Sequence, residues 1–417
     1  MKQALLLLFC LFYSLGAQGR ANVINEIGLP ASTFRIEIKK AKETAMKWIK
    51  WPDLPGTETT ASLGVSAPFA GVWEHQLIVA GGCNFPGKPV TEGGSKRYYD
   101  EIFTLDLRAG ADAEWKIAGH LPHPLAYGAT AITPDGMVCL GGNNNEKSVT
   151  DVFLLTTNAQ QTITLTELPA LPVALDNAAA AAIGRSVYVA GGNADGKPSN
   201  ALYCLDLQEP AKGWQRLKDF PGPARVQPVW VAQQNGEEAT LYLAGGFQPV
   251  EGERAAQVPT DLLAYSPSRK TWSEESLLPP LADGALRTLT GGIGLAYGDH
   301  HLVFAGGVNY NCFLAAVDRP RQMEEARRNN EAERLNALQT AAAEYMFHPV
   351  EWYKFNQDLL IYNTLTREWQ TAGPFEPLAR AGAGAVWYNQ QLIVVNGELK
   401  PGVRTPQVNG LTLTEEF

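Results

Sequence analysis

Leu77-Ile-Val-Ala-Gly81-Gly82 opens a phrase that this chain repeats along its length: a short apolar run closed by two glycines. It returns as Met137-Val-Cys-Leu-Gly141-Gly142, Val187-Tyr-Val-Ala-Gly191-Gly192, Leu241-Tyr-Leu-Ala-Gly245-Gly246 and Leu302-Val-Phe-Ala-Gly306-Gly307, with a degenerate sixth copy, Leu392-Ile-Val-Val-Asn396-Gly397. The second glycines stand 60, 50, 54, 61 and 90 residues apart. Apolar runs of this length are strands, and the glycine pair lets neighbouring backbones approach closely. After most copies come a loop, another strand such as Ile102-Phe-Thr-Leu-Asp106 or Leu202-Tyr-Cys-Leu-Asp206, and then a tryptophan: Trp115, Trp214, Trp272 or Trp369.

A period near ~50 residues is that of kelch repeats, in which one repeat forms one four-stranded sheet. Such a sheet cannot bury its faces alone and must stack on its neighbours around an axis. The expected fold is therefore all-β, a six-bladed kelch-type propeller with the tryptophans filling the space between blades. The last copy ends in a strand over 407–413 with no tryptophan of its own. The missing piece lies at the other end. Trp48 is followed seven residues later by Pro55, the spacing also seen from Trp115 to Pro122, Trp214 to Pro221 and Trp272 to Pro279. The N-terminal strand should thus complete the last blade, which an array of sandwiches or tandem domains would not require. The long interval holds strong helix formers, so a helical insertion is expected at about 314–346, either a buttress or a lid. Residues 22–44 fall outside the repeat.

Of 417 residues, 45% are apolar and 18% charged, enough for a sizeable core, and the formal net charge of −9 carries no general footprint for nucleic acid or an anionic membrane. Lys2, an apolar run over 4–15 and small residues around Gly19 have the layout of a secretory signal peptide, and that run is too short to span a bilayer. The chain is read as a leader over 1–19 and one propeller domain over 20–417, periplasmic or secreted, with no membrane attachment after cleavage. Cys83, Cys139, Cys204 and Cys312 show no CxxC spacing and read as buried thiols. No histidine pair has metal-ligand spacing, so no metal is expected.

Propeller ligands sit at one mouth of the central channel. The loops expected there carry Asn84, Asn309, Arg225, Arg287 and Arg380, groups suited to a small polyhydroxylated anion. The sixth copy differs most: Asn396-Gly397-Glu398-Leu399-Lys400-Pro401-Gly402-Val403-Arg404-Thr405 puts a carboxylate beside two cations. From the residues alone this is either an acid–base pair or a charged loop with a Pro-Gly turn.

That run, and Ala305-Gly306-Gly307-Val308-Asn309 followed by a helical insertion, resemble the N-acetylneuraminate epimerases, or sialic acid mutarotases. The order is rotated, as in a cyclically permuted branch, with the Asn-Gly-Glu segment near the end of the chain instead of the middle. The resemblance implies interconversion of the α- and β-anomers of sialic acid, a small acidic sugar, without a cofactor. It also implies that Glu398 and Arg404 are catalytic, with Arg225, Arg287, Arg380, Asn84, Asn309 and Lys400 as candidates for binding substrate. A sialidase-like glycosidase and a non-catalytic propeller that binds sugar or protein are the alternatives. The Asp-box pattern of sialidases is missing, since Ser266-Pro-Ser-Arg-Lys-Thr-Trp272 lacks its Asp and Gly.

Overall fold

The computed structural model describes residues 38–40, 46–56, 62–158 and 162–413. The signal-peptide reading and residues 22–37 lie outside them. Six antiparallel four-stranded sheets follow in chain order, and five are built from consecutive strands. Blade 1 runs Phe69–Trp73, Gln76–Ala80, Glu101–Asp106, Trp115–His120. Blade 6 combines Gly384–Tyr388, Gln391–Val395 and Val408–Leu413 with the N-terminal strand Met46–Trp51, whose Trp48 pairs with Leu411. The expected closure of the ring is therefore present. Just upstream, Ile38–Lys40 pairs in parallel with Trp369–Ala372 and adds a fifth strand to blade 5. One short N-terminal stretch thus covers the outer edges of two adjacent blades, where unpaired strands would otherwise face solvent.

The core lies between the blades. Leu77, Val79 and Leu105 of blade 1 pack against Ile393, Val395 and Val408 of blade 6, all nearly inaccessible. Each of the four outer tryptophans reaches back to the preceding blade through its indole N–H. Trp115 donates to the Pro52 carbonyl at 2.9 Å, Trp214 to Pro169 at 2.8 Å, Trp272 to Lys218 at 2.8 Å, and Trp369 to Ser276 Oγ at 2.9 Å. The indole is thus both filler and clasp, its one polar atom satisfied at the interface.

The glycine pairs work as their chemistry requires. A Cβ on Gly81, Gly141 or Gly191 would stand 2.3, 2.2 or 2.5 Å from a carbonyl oxygen of the following blade, a distance no side chain tolerates. The second glycine of each of these pairs donates its amide to that same carbonyl, at 2.8 Å from Gly82 to Leu125, from Gly142 to Leu175 and from Gly192 to Arg225.

Two residues after each accepting carbonyl, the six blades meet in a closed ring of backbone hydrogen bonds. Tyr127 N donates to Ala67 O, Asn177 to Tyr127, Gln227 to Asn177, Gly291 to Gln227, Gly382 to Gly291 and Ala67 back to Gly382, over 2.7–3.1 Å. All six residues are left-handed, with φ between 53° and 67°. For the four that are not glycine this costs roughly 1–2 kcal/mol each, against a net gain of roughly 0.5–1.5 kcal/mol per hydrogen bond. The two nearly cancel, so the ring fixes geometry more than it adds stability.

The insertion begins earlier than the sequence indicated: helix α1 spans Tyr310–Arg328, and α2 spans Ala332–Glu344. Asn309 caps α1 by accepting the Cys312 amide at 3.0 Å, and a capping asparagine within a diglycine loop gives little helical signal. Trp369 is 1% exposed, so Trp369→Ala should cost about 3–5 kcal/mol in urea denaturation, and Trp369→Phe, which loses mainly the bond to Ser276, about 1 kcal/mol.

Candidate active site

The ring divides the axis into two unlike spaces. On one side the channel is walled by inner-strand residues such as Ala131, Ala181, Val229 and Ile293, which offer a sugar no side-chain hydrogen bonds. On the other lies a cavity of about 260 Å³. Tyr127, Gln227 and Gly382 of the ring line it together with Glu398, and Cys312, Phe313 and Val317 of α1 form one wall. Phe247, Tyr345, Tyr353 and Phe355 make it strongly aromatic. Helix α1 is therefore a wall of the cavity, whereas no residue of α2 lines it. The volume is near the low end for small-molecule sites and suits a single sugar ring better than a chain.

Glu398 reaches the cavity because the sixth repeat is degenerate. Asn396 and Gly397 replace the glycine pair and keep its left-handed backbone, with φ of 55° and 102°. The chain then turns back as a small hairpin, Glu398–Lys400 against Val403–Arg404, with Gly402 at φ 84° in the turn. Glu398 and Arg404 are cross-strand partners, and a spacing of six residues in sequence becomes an ion pair of 3.0 Å between Oε1 and Nη1. Oε1 also accepts the Gly402 amide at 2.9 Å, so both contacts fall on one oxygen.

Burial pushes the Glu398 carboxyl above its ordinary value, and Arg404, the Gly402 amide and Lys96 pull against it. Burial is the largest of these effects, leaving a carboxylate that takes up a proton more readily than an exposed one. The Arg404 side chain is only 3% exposed and lies against the Phe85 ring, its guanidinium carbon 4.8 Å from the ring centroid. It backs the carboxylate and does not line the cavity.

The other sequence candidates divide sharply. Asn309 lines the cavity, although its side-chain oxygen is engaged in capping α1. Arg225, Arg287 and Arg380, expected at the mouth, are buried between strands. Arg225 pairs with Asp261 at 2.8 Å and Arg287 with Asp358 at 2.5 Å, while Arg380 donates to the carbonyls of Asn396 and Gln407 at 3.1 and 2.9 Å. Burial pushes Arg380 down to about 10. Arg225 and Arg380 occupy a position held elsewhere by Val65, Leu125, Leu175 and Leu289, all buried, so a side chain there points into the blades. Asn84 does not line this cavity; it donates to the Gly64 carbonyl and accepts from the Tyr99 hydroxyl, both at 2.7 Å. Lys400 is tied to the His348 carbonyl at 2.6 Å.

Sequence reasoning missed Tyr127, Gln227 and Lys96. Gln227 donates to Asn177 Oδ1 at 3.0 Å, and the Lys96 ammonium donates to the Tyr127 hydroxyl at 3.1 Å. For Tyr127 and Gln227 the signal was positional: each ring residue stands at or just before the start of an inner strand, yet six different local sequences meet there. Among the described residues no group of three or more His, Cys, Asp or Glu side chains is arranged to hold a metal ion, and no helix is long and apolar enough to cross a membrane.

Fold and site together define a kelch-type propeller with a buried carboxylate–guanidinium ion pair beside a small cavity. The chain matches the N-acetylneuraminate epimerase family over residues 17–164 and 168–417, and belongs to it. It is 31% identical over 240 residues to the N-acetylneuraminate epimerase of Salmonella enteritidis PT4 (strain P125109), an alignment covering 58% of this chain and 56% of the relative. It is 33% identical over 259 residues to that of Haemophilus influenzae (strain PittEE), covering 62% and 60%. The aligned stretch thus spans somewhat over half the length of these curated relatives. The solved structure of YjhT superimposes with a TM-score of 0.56 at 13% identity, over 87% of this chain and 97% of that one, a likeness of fold.

Two measurements check this geometry. Because the Glu398 carboxyl titrates above its ordinary 4.5, the folded state holds more protons than the unfolded state between that value and the folded one, so this group's contribution to stability falls as pH rises through that window. Thermal melts of the wild type and Glu398→Gln across the acid range should show the difference shifting in favour of the variant as pH rises. Arg225→Ala strands Asp261 and should cost on the order of 3 kcal/mol in denaturant melts, with KM for any substrate unchanged.

Proposed function

We propose that the protein interconverts the α- and β-anomers of N-acetylneuraminate, acting in the periplasm or outside the cell after removal of an N-terminal leader. The observation that carries this reading is Glu398, a carboxylate raised by burial and held against Arg404 at the edge of a cavity of one-sugar size. Membership in the epimerase family supports the substrate, and the partial alignment with relatives beside the broader structural match fits a rotated repeat order.

The chemistry asks little of the protein. Glu398 takes the proton of the anomeric hydroxyl, the ring oxygen gains a proton, and the bond between anomeric carbon and ring oxygen breaks to give the open-chain ketone. Rotation about the adjacent C–C bond and reclosure on the other face return both protons. Arg404 stabilises the ionised carboxylate between turnovers and contributes positive potential to a site that receives an acidic sugar. The aromatic wall supplies apolar surface for the carbon face of the ring and the acyl methyl group.

A glycosidase reading is weaker, because most glycosidases flank the scissile bond with two carboxyl groups and Glu398 is the one carboxylate among the described residues that line the cavity; sialidases, which use a tyrosine nucleophile, are set apart by the assay with a glycoside. Freshly released α-N-acetylneuraminate followed by NMR, beside a sialyl-glycoside, separates the readings. Accelerated approach to the anomeric equilibrium with the glycoside intact is expected, and Glu398→Gln should slow it by ~10²–10⁴-fold. Glycoside cleavage, or binding without acceleration, would refute the proposal.

A further inference from the structure

Resting on the mutarotase reading, we propose that Tyr127 is the second catalytic residue of this site, the acid that protonates the ring oxygen while Glu398 deprotonates the anomeric hydroxyl. Neither residue alone completes ring opening, since the reaction moves one proton off the sugar and one onto it at the same time. The site described so far supplies a base and its supporting cation; it lacks the donor.

Tyr127 is the aromatic member of the backbone ring, at φ 60°, a conformation that aromatic residues seldom adopt. Its amide and carbonyl are both committed to the ring, to Ala67 and Asn177 at 3.0 and 2.7 Å, so its direction into the cavity is set by backbone it cannot relax. Strain of this kind persists where the surrounding structure over-determines it. The hydroxyl is then surrounded from behind. Lys96 Nζ donates to it at 3.1 Å, and Cys83 Sγ lies 3.4 Å from it while also facing the Ser66 carbonyl. A phenol hydroxyl accepts as well as donates. An ammonium can only donate, so the Lys96 contact uses the phenol oxygen as an acceptor and leaves the phenol its own proton to give.

Burial and charge bear on this role in opposite directions. Burial holds the Tyr127 hydroxyl well above its ordinary value, so it stays protonated, and Glu398 and Arg404 are both close enough to act on it with opposite signs. Lys96 also acts on Glu398. One ammonium therefore stands behind the donor and within electrostatic reach of the base, placed to stabilise the phenolate that forms when the proton leaves. In the forward half-reaction the phenol proton goes to the ring oxygen, the carbon–oxygen bond breaks toward that oxygen, and the anomeric hydroxyl proton goes to Glu398. Reclosure on the opposite face returns the first proton to Tyr127 and the second to the new anomeric hydroxyl. No oxidant, metal or co-reactant enters the balance. Lys96 touches the phenol and is a positioning residue.

The test compares Tyr127→Phe, Lys96→Met, Lys96→Gln and Glu398→Gln with the wild type, reading anomer interconversion by NMR, N-acetylneuraminate binding by calorimetry and folding by thermal melt. Phenylalanine keeps the ring and its packing and removes only the hydroxyl. Tyr127→Phe is expected to lower kcat by ~10²-fold or more with the dissociation constant nearly unchanged. Lys96→Met should lower kcat about tenfold, with Lys96→Gln, which keeps a donor, recovering part of it. An active wild type and an inactive Glu398→Gln beside a Tyr127→Phe variant of undiminished kcat would overturn the role of Tyr127 and leave the mutarotase reading standing. A wild type that binds the sugar without interconverting it would overturn that reading and this inference with it. Should Tyr127→Phe fail to fold, the lysine pair decides: unchanged kcat in Lys96→Met contradicts the proposal.

Discussion

The arrangement on which the rest of the site depends is the closed ring of six backbone hydrogen bonds running Ala67, Tyr127, Asn177, Gln227, Gly291, Gly382. Each bond joins one blade to the next, so none can lengthen without disturbing its neighbours. Left-handed backbone at all six positions turns the chain sharply into each inner strand. The ring separates an apolar channel from a polar and aromatic cavity, and its members are unequal. Ala67, Gly291 and Gly382 leave space on one side, while Tyr127, Asn177 and Gln227 raise polar side chains on the other. An exact sixfold repeat would give a symmetric mouth; unequal side chains on a nearly symmetric backbone give one asymmetric pocket.

On the open side sits the one repeat that abandons the glycine pair. Its backbone keeps the left-handed turn, and its hairpin brings Glu398 over Ala381 of the neighbouring loop, where the two exchange backbone hydrogen bonds of 2.8 and 3.0 Å. Burial of the carboxylate is the largest influence on its proton affinity, and Arg404 opposes it. Without Arg404 a carboxylate this enclosed would favour the protonated form and be a poor base; in open water it would bind protons too weakly to be a good one. Burial and Arg404 thus act on the carboxyl in opposite senses, with burial the larger.

The blades were legible in the sequence because close backbone approach demands glycine, and five of the six repeats carry the pair. The closing strand was legible because Trp48 to Pro55 kept the spacing of the outer strands. The hairpin that carries Glu398 and Arg404 was legible as a departure from a pattern already established, and the family resemblance suggested a chemical role for it. The arginines were misjudged for a physical reason. Loop residues look exposed in sequence, but Arg225 and Arg380 stand where Val65, Leu125, Leu175 and Leu289 show the side chain turning inward, and aligning the repeats at that position would have revealed it. Tyr127 left no residue-type signal, because the ring is made by backbone atoms and accepts alanine, glycine, asparagine, glutamine and tyrosine alike.

The central claim is that the cavity opens a sugar ring through its free anomeric hydroxyl. Exchange NMR on N-acetylneuraminate at anomeric equilibrium, with a catalytic amount of protein, tests it most directly when run beside the 2-O-methyl glycoside, which has no anomeric proton to give up. The account predicts protein-dependent exchange peaks linking the two anomers of the free sugar, and none linking the anomers of the glycoside. Binding of the free sugar with no exchange above the spontaneous rate, or equal exchange for the glycoside, would contradict it.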